Sequence, residues 1–265
     1  MDVEDYYNQD PQYEWERLER HKTEYAVTMR AFAEYLPLPP ALILDIGGGP
    51  GRYSIALAQK GYTVTLVDIS QKCLEYARRK AGELHVGLTY IHGNALALKF
   101  HREKFDTVLL MGPLYHLRTE DGRRKAVDEA ARVLRKDGIL CASFVTRYAP
   151  LRWASKYEPE WITTYPSHCE ELITEGKTSP APERESFVNI SYFAHPKEIN
   201  PFMEKSGLKT LDLISCEGII SFIDEEVNTL TGEKWEAWVN INYKLGRDYC
   251  IHGAAEHLLY IGKKR

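Results

Sequence analysis

The residues best suited to chemistry lie in one run, Leu44-Asp45-Ile46-Gly47-Gly48-Gly49-Pro50-Gly51. The run follows a short apolar segment and opens a helix-forming one. Glycines at such a strand-to-helix turn let a ligand approach the main chain, and the helix start offers free N–H groups. The spacing is Asp-x-Gly-x-Gly-x-Gly. A dinucleotide fingerprint, Gly-x-Gly-x-x-Gly, would need its third glycine where Arg52 stands. Asp45 also puts an acid where a pyrophosphate would be repelled and an ammonium group favoured. Arg52 and Asp45 together argue against a nicotinamide dehydrogenase. Asp68 closes the run Thr63-Val64-Thr65-Leu66-Val67-Asp68. An acid about 20 residues past a glycine loop, at the end of the second strand, accepts hydrogen bonds from ribose hydroxyls. Together the two signals describe a nucleoside with a positive, non-phosphorylated tail, and S-adenosylmethionine fits that description.

The elements that must position these residues alternate. Short apolar or β-branched runs at 41–46, 63–67, 88–91, 105–111 and 139–145 read as strands. Helical patterns at 53–59, 71–81 and 121–135 separate them. The last of these helices is expected to stop at Lys136-Asp137-Gly138. A helix at 196–206, a strand at 208–215, a helical stretch at 233–245 and a strand at 256–261 complete the pattern. Alternation of this kind implies βαβ units and a mostly parallel sheet, here of seven strands. Residues 12–36 read as one helix ended by Pro37, Pro39 and Pro40. The segment 147–195 is too long for a simple connection and reads as a functional insertion or lid. A further decoration falls at 218–250.

Residues 41–146 resemble a class I S-adenosylmethionine-dependent methyltransferase, and the later strands suit its seven-stranded sheet. The resemblance implies a Rossmann-like α/β fold, a mostly parallel sheet flanked by helices with an antiparallel seventh strand. It implies that Asp45, Gly47, Gly48, Gly49 and Gly51 surround the methionine part of the donor. Asp68 would hold the ribose and Ile69 would flank the adenine. Gly93-Asn94-Ala95 matches the third-strand motif, usually Gly-Asp-Ala, and Asn94 in place of Asp still accepts a bond from the adenine amino group. Met111-Gly112 sits where the fourth strand ends, beneath the transferred methyl group. One domain over 1–265 follows. Its parts would be a helical cap (1–38), a cofactor-binding core (39–146), the lid (147–195) and the C-terminal part of the sheet (196–265).

Gly112-Pro113-Leu114-Tyr115-His116-Leu117 follows the fourth strand, where ligands of open α/β sheets bind. It is similar to the loop of small-molecule methyltransferases related to ubiquinone and menaquinone biosynthesis. Nucleic-acid amine methyltransferases carry Asn or Asp before Pro-Pro-Tyr/Phe. Gly112 stands in that place here, which argues against methylation of a nucleobase amine by that mechanism. His116 is the candidate general base, with an ordinary pKa near ~6.5, or else a positioning group. Tyr115 either lines the pocket or packs on the following helix. Methyl transfer needs little acid–base help, because aligning nucleophile, methyl carbon and sulfur supplies on the order of 7–11 kcal/mol.

Tyrosine outnumbers phenylalanine, 17 to 8, and the excess is concentrated in two segments. Tyr6, Tyr7, Tyr13 and Trp15 lie near the start. Tyr148, Trp153, Tyr157, Trp161 and Tyr165 lie in the insertion, which also holds Pro180 and Pro182. They read as an aromatic lid over donor and acceptor or as plain packing, with Tyr6 and Tyr7 as candidate acceptor contacts. His168-Cys169-Glu170 has no spaced partners, and no metal site is expected. Cys73 and Cys141 read as core, and His195-Pro196 as a helix start. His252 and His257 show no usable pattern. Hydrophobic and charged fractions of 44% and 27% are those of a globular chain. Five widely spaced cysteines without a Cys-x-x-Cys pair point to a reducing, cytoplasmic setting. No apolar run is long enough to span a membrane, and the acidic start is unlike a signal peptide. Net charge is −4, with nine acids against four Lys/Arg in residues 1–35. The basic triplets at 78–80, 123–125 and 263–265 are dispersed, so there is no general field for nucleic acid. The expectation is methyl transfer from S-adenosylmethionine to a small molecule. RNA methylation and a non-catalytic donor-binding regulator are the alternatives.

Overall fold

The computed structural model describes residues 2–179 and 186–265. Pro180 and Pro182 of the insertion lie outside the described residues. Three helices come first: α1 (Val3–Gln9), α2 (Pro11–Arg20) and α3 (Lys22–Tyr35). The single helix predicted over 12–36 is therefore two, broken at His21, whose backbone leaves the helical region at φ −99°, ψ 54°. Asp10 separates α1 from α2. Its carboxylate accepts from Tyr13 N–H at 2.9 Å, and Pro11 takes the first helical position, where a missing N–H costs nothing.

The alternating core follows: β1 (Leu42–Ile46), α4 (Arg52–Gln59), β2 (Thr63–Asp68), α5 (Gln71–Glu83), β3 (Thr89–His92), β4 (Phe105–Leu110), α6 (Pro113–His116), α7 (Glu120–Val133) and β5 (Leu134–Val145). The predicted stop signal 136–138 does not end the α7 helix. That helix ends at Val133, and Lys136-Asp137-Gly138 lies inside a longer β5. Asp137 there takes φ 61°, and the pairing with β4 shifts register between Phe105 and Thr107. The insertion folds into α8 (Ala149–Tyr157), α9 (Trp161–Thr164), α10 (Pro166–Glu175) and a 3₁₀ turn at Phe187–Ile190. Then come α11 (Pro196–Glu204), β6 (Leu208–Ser215), α12 (Asp224–Asn228), α13 (Gly232–Leu245), α14 (Tyr249–His252) and β7 (His257–Lys264). His195 caps α11 with Pro196 first in the helix, as read from the sequence.

The seven strands lie in the order β3-β2-β1-β4-β5-β7-β6. β7 runs antiparallel to both its neighbours, and the other paired strands are parallel. Strand order reverses between β1 and β4, so the two loops that follow them flank a crevice. Both sheet faces are covered. Leu44 and Ile46 of β1 pack with residues of α7 and α11, while Ile43, one pleat away, packs with residues of α3 and α13. Cys73 and Cys141 are buried, and all five cysteines are free thiols. Among the described residues no helix is long and apolar enough to cross a membrane.

One buried ionic network ties the N-terminal helices to the far end of the chain. Arg17 of α2 donates two hydrogen bonds, 2.7 and 3.1 Å, to Glu24 of α3, which is 4% exposed. His257, at the head of β7, holds its Nδ1 2.7 Å from Glu217 Oε1 and 3.7 Å from Glu24 Oε2. Glu217 Oε2 accepts from the backbone N–H groups of Glu256 and His257. Burial by itself would lower the His257 pKa, but the Glu24 and Glu217 carboxylates overcome it and raise it from 6.5 to about 9. Burial by itself would raise Glu24, but Arg17 and His257 overcome it and hold its pKa at about 2.

A group held protonated by the fold stabilises fully below its unfolded pKa and loses that contribution as pH rises through the folded value. Between pH 6.5 and about 9, His257 should therefore cost the protein on the order of 3 kcal/mol of unfolding free energy. Glu24 acts with the opposite sign: its contribution is present above pH 4.5 and fades as pH falls toward about 2. Urea unfolding across this range checks both. His257→Gln should flatten the alkaline slope, and Glu24→Gln should cost about 3–5 kcal/mol at neutral pH by leaving Arg17 and His257 unbalanced.

Candidate functional site

The glycine loop is fastened to the end of β2, where Gly47 N–H donates to Val67 O at 2.7 Å. Gly51 takes φ 82° as the N-cap of α4, a left-handed conformation that glycine adopts without steric cost. Close packing explains two other glycines. A Cβ on Gly48 would stand 2.5 Å from Asp45 Oδ2 and Leu66 Cδ1, and one on Gly112 would stand 2.6 Å from Gly47 O. A Cβ on Gly49 would meet nothing within 4 Å, so the loop is open on that side.

Asp45 is 1% exposed. Ser54 Oγ donates to its Oδ2 at 2.7 Å, whereas Oδ1 has no hydrogen-bond partner. Burial raises its pKa to about 7, so a cation docking there would restore the full carboxylate charge. Asp68 is also buried, and burial raises its pKa. Its Oδ2 accepts from Gly49 N–H at 2.7 Å and its Oδ1 from Ser70 N–H at 2.8 Å. Asp68 thus couples the loop to the start of α5. Gly93 N–H donates to Asp68 O, which brings the third-strand motif alongside, and His92 Nε2 lies 2.7 Å from Ile69 O. Asn94 is exposed, and its Oδ1 accepts from Leu96 N–H at 2.9 Å. Ala95 is buried in one core cluster, and Met111 is half-buried against the other. The α1 helix lies over this edge: Asn8 Oδ1 accepts from Ser70 Oγ at 2.8 Å, and Tyr7 O from Cys73 Sγ at 3.6 Å.

Beside the loop that follows β4 lies a cavity of about 460 Å³. Tyr6, Tyr7 and Tyr115 line it, and the Tyr7 hydroxyl shares a 2.6 Å hydrogen bond with His116 Nε2. The rings of Tyr7, Tyr115 and Phe187 surround the His116 imidazole at centroid distances of 5.2, 4.7 and 5.4 Å. Burial lowers the His116 pKa to about 4, so the imidazole is neutral at ordinary pH. The ordinary value near 6.5 therefore does not apply to this buried imidazole. Burial also raises the Tyr7 and Tyr115 phenols, which stay protonated.

The two aromatic segments part company. Tyr13, Trp153, Trp161 and Tyr165 face the cavity. Trp15 instead packs with Ile55 and Ala81, Tyr148 lies edge-on to His195, and Tyr157 is exposed beside Glu225. His168 stacks on Tyr165 at 5.7 Å, while its neighbour Cys169 is buried elsewhere. Sequence reasoning missed the charged wall made by Glu14, Arg17, His21, Glu256 and His257. Its members are more than 200 residues apart in the chain, and only the charges on the buried side of α2 and α3 hinted at it. Glu24, Glu217 and His257 hold ligand-type atoms within 4.8 Å of one another. The Arg17 guanidinium on Glu24 and the proton on His257 already balance those carboxylates.

The basic triplets do not form a free basic face. Arg78 lies over Tyr90, Arg79 and Lys80 pair with Glu83, and Arg123 is buried over the Tyr192 ring. Arg124 donates to Phe202 O, Lys263 pairs with Asp137, and Lys264 with Glu103.

Residues 43–138 match the family model described as a methyltransferase domain. The chain is 37% identical over 126 residues to a demethylmenaquinone methyltransferase from Clavibacter sepedonicus, covering 47% of this chain and 48% of that protein. It is 30% identical over 142 residues to a tRNA (carboxymethyluridine(34)-5-O)-methyltransferase from Arabidopsis thaliana, covering 50% and 32%. It thus spans less than half the length of these curated relatives. In fold it resembles the magnesium protoporphyrin IX methyltransferase of Synechocystis with bound S-adenosylmethionine, at a TM-score of 0.60 and 16% identity over 99% of this chain and 95% of that one. Residues 43–138 thus carry the match to a methyltransferase domain, and in sheet order and fold the chain is similar to S-adenosylmethionine-dependent methyltransferases.

Proposed function

We propose that this chain transfers a methyl group from S-adenosylmethionine to a small organic acceptor held in the cavity. The observation that carries the reading is the adjacency of two unlike sites at the sheet's switch point. One is a glycine loop backed by two buried acids, and the other is an enclosed aromatic cavity reached past Tyr7 and His116. The donor supplies a methyl carbon already activated by a positively charged sulfur. The chain's own residues then bind, orient and exclude water. In this reading Asp45, whose Oδ1 has no partner, faces the cationic amino-acid end. Asp68 and Ile69 hold the nucleoside with Asn94 and Ala95 at its edge, and Met111 and Gly112 lie beneath the methyl. The open side of Gly49 leaves room for the ligand backbone.

The acceptor's nucleophile displaces sulfur in line, and the thioether S-adenosylhomocysteine leaves with the bonding pair. Alignment does most of the work. Tyr7 and Tyr115 shape the approach, and neutral His116 fixes the Tyr7 hydroxyl, so His116 is a positioning residue. Residues 1–38 act as the cap and 147–195 as the lid of a single domain over 1–265, in a reducing cytoplasm. Small acceptors are favoured over RNA because most of the basic triplet residues, among them Arg79, Lys80, Arg123, Arg124, Lys263 and Lys264, are engaged within the chain. A donor-binding regulator without turnover is the other reading, and turnover itself separates the two.

The direct test is incubation with S-adenosylmethionine carrying a labelled methyl group and a panel of small acceptors. Label in an acceptor together with S-adenosylhomocysteine supports the proposal, and donor binding without turnover overturns it. Asp68→Ala should weaken S-adenosylhomocysteine binding at least about tenfold in calorimetry, since it removes charged acceptors and frees two loop N–H groups. Gly112→Ala should do the same by pushing the β4 loop off Gly47. His116→Ala should lower kcat by about tenfold, and His116→Gln, which can still bond Tyr7, should recover most of it. Equal losses in both variants would return His116 to an acid–base role.

A further inference from the structure

Two carboxylates at the cavity are held less closely by the chain than the cations around them. Each cation around it is already engaged within the chain. Arg17 directs two donors to Glu24, Arg20 lies 3.9 Å over the Tyr13 ring and donates to Tyr13 O, and His21 Nδ1 is 3.6 Å from Asp224. His257 is held by Glu217. Arg152, which faces Glu256 from α8, donates to Ser221 and to the Ala254 and Ala255 carbonyls. Two carboxylates are held less closely. Glu14 has only Arg17 Nε at 3.8 Å, and the Glu256 carboxylate makes no ion pair or hydrogen bond among the described residues. Both line the cavity, as do the rings of Tyr6, Trp153, Trp161 and Phe187.

We infer that this cavity selects acceptors that carry an organic cation, such as an ammonium group, seated against Glu14 and Glu256 and faced by the aromatic wall. The inference rests on reading the cavity as the acceptor site. Ring faces attract a cation through their quadrupole, and a carboxylate without a close hydrogen-bonded partner gains by meeting one. Burial raises the pKa of both glutamates, so each is set to gain charge stabilisation when a cation arrives. An anionic acceptor would meet the same two carboxylates, while Arg17, Arg20 and Arg152 already direct donors to groups within the chain. A neutral polar one would forgo the attraction to the rings.

The test is a charge series on one skeleton, phenethylamine, 2-phenylethanol and 3-phenylpropanoate. Each is titrated into the full chain saturated with S-adenosylhomocysteine, followed by the fluorescence of Trp153 and Trp161. The amine should bind at least about tenfold more tightly than the alcohol, and the carboxylate most weakly. In the Glu14→Gln/Glu256→Gln double variant that preference should vanish while S-adenosylhomocysteine affinity is unchanged, which also shows that the variant folds. Equal or reversed ranking, a preference that survives in the variant, or no binding of the amine at millimolar concentration would each overturn the inference. Labelled methyl transfer to neutral acceptors without cation preference would remove the cation pole and leave the methyltransferase reading standing. Amine-selective binding with no turnover on any acceptor would do the reverse.

Discussion

A protonated imidazole between two buried carboxylates holds the acceptor side of this protein together. His257 heads the last strand, Glu217 follows the sixth, and Glu24 belongs to the third helix, with Arg17 of the second helix closing the set. None of these charges is stable alone in the interior, because the cost of leaving water is returned only by close, well-aligned partners. The network therefore demands that the N-terminal helices dock on the C-terminal strand pair. Once they dock, α1 and α2 bring Tyr6, Tyr7 and Glu14 into the wall of the cavity. The acceptor pocket follows from that electrostatic tie, since it is built from segments that no short connection would hold together.

The donor side rests on a different constraint, close approach of main chain to main chain. Gly112 has no side chain, so the loop after β4 can lie on Gly47, and Gly48 leaves room for the Asp45 carboxylate. The result is a crevice floored by backbone, with one buried carboxylate oxygen unpartnered and a second acid bonded to loop N–H groups. The two halves meet at Tyr7 and His116. That contact joins the first helix to the loop after β4, so the N-terminal cap is coupled to both ligand sites through one hydrogen bond. Burial leaves His116 neutral, with its Nε2 sharing a hydrogen bond with the Tyr7 hydroxyl.

The α/β alternation was legible because each strand combines an apolar run with glycine or acidic punctuation. The run at 208–215 coincides with β6, and Thr63 to Asp68 with β2. Where the reading failed, a local signal was outweighed by pairing. Lys136-Asp137-Gly138 reads as a helix stop, yet β5 spans it: Leu134 pairs with Phe105 and Ile139 with Thr107 of β4 on either side of a register shift, where Asp137 takes a left-handed conformation. The break at His21 was hidden for the opposite reason. The helix-forming composition is continuous there, and the kink depends on what α2 and α3 pack against. The insertion, read only as a lid, contains three helices whose apolar faces turn toward a cavity that no window of sequence reveals.

The sequence by itself determined the fold class, the glycine loop and the two acids, Asp45 and Asp68, that lie beside it, because these depend on neighbours within a few residues or on spacing along strands. It also placed Tyr115 and His116 beyond the fourth strand. Tertiary structure alone decided the chemistry around them. It set whether His116 carries a proton, which aromatic residues face the cavity and which pack away from it, and which charges remain unpaired. Those properties come from burial and from partners more than 200 residues away, and residue types carry no record of either. His257 looked unremarkable in the chain, yet the fold gives it two buried carboxylates and with them the role that joins the two ends of the molecule.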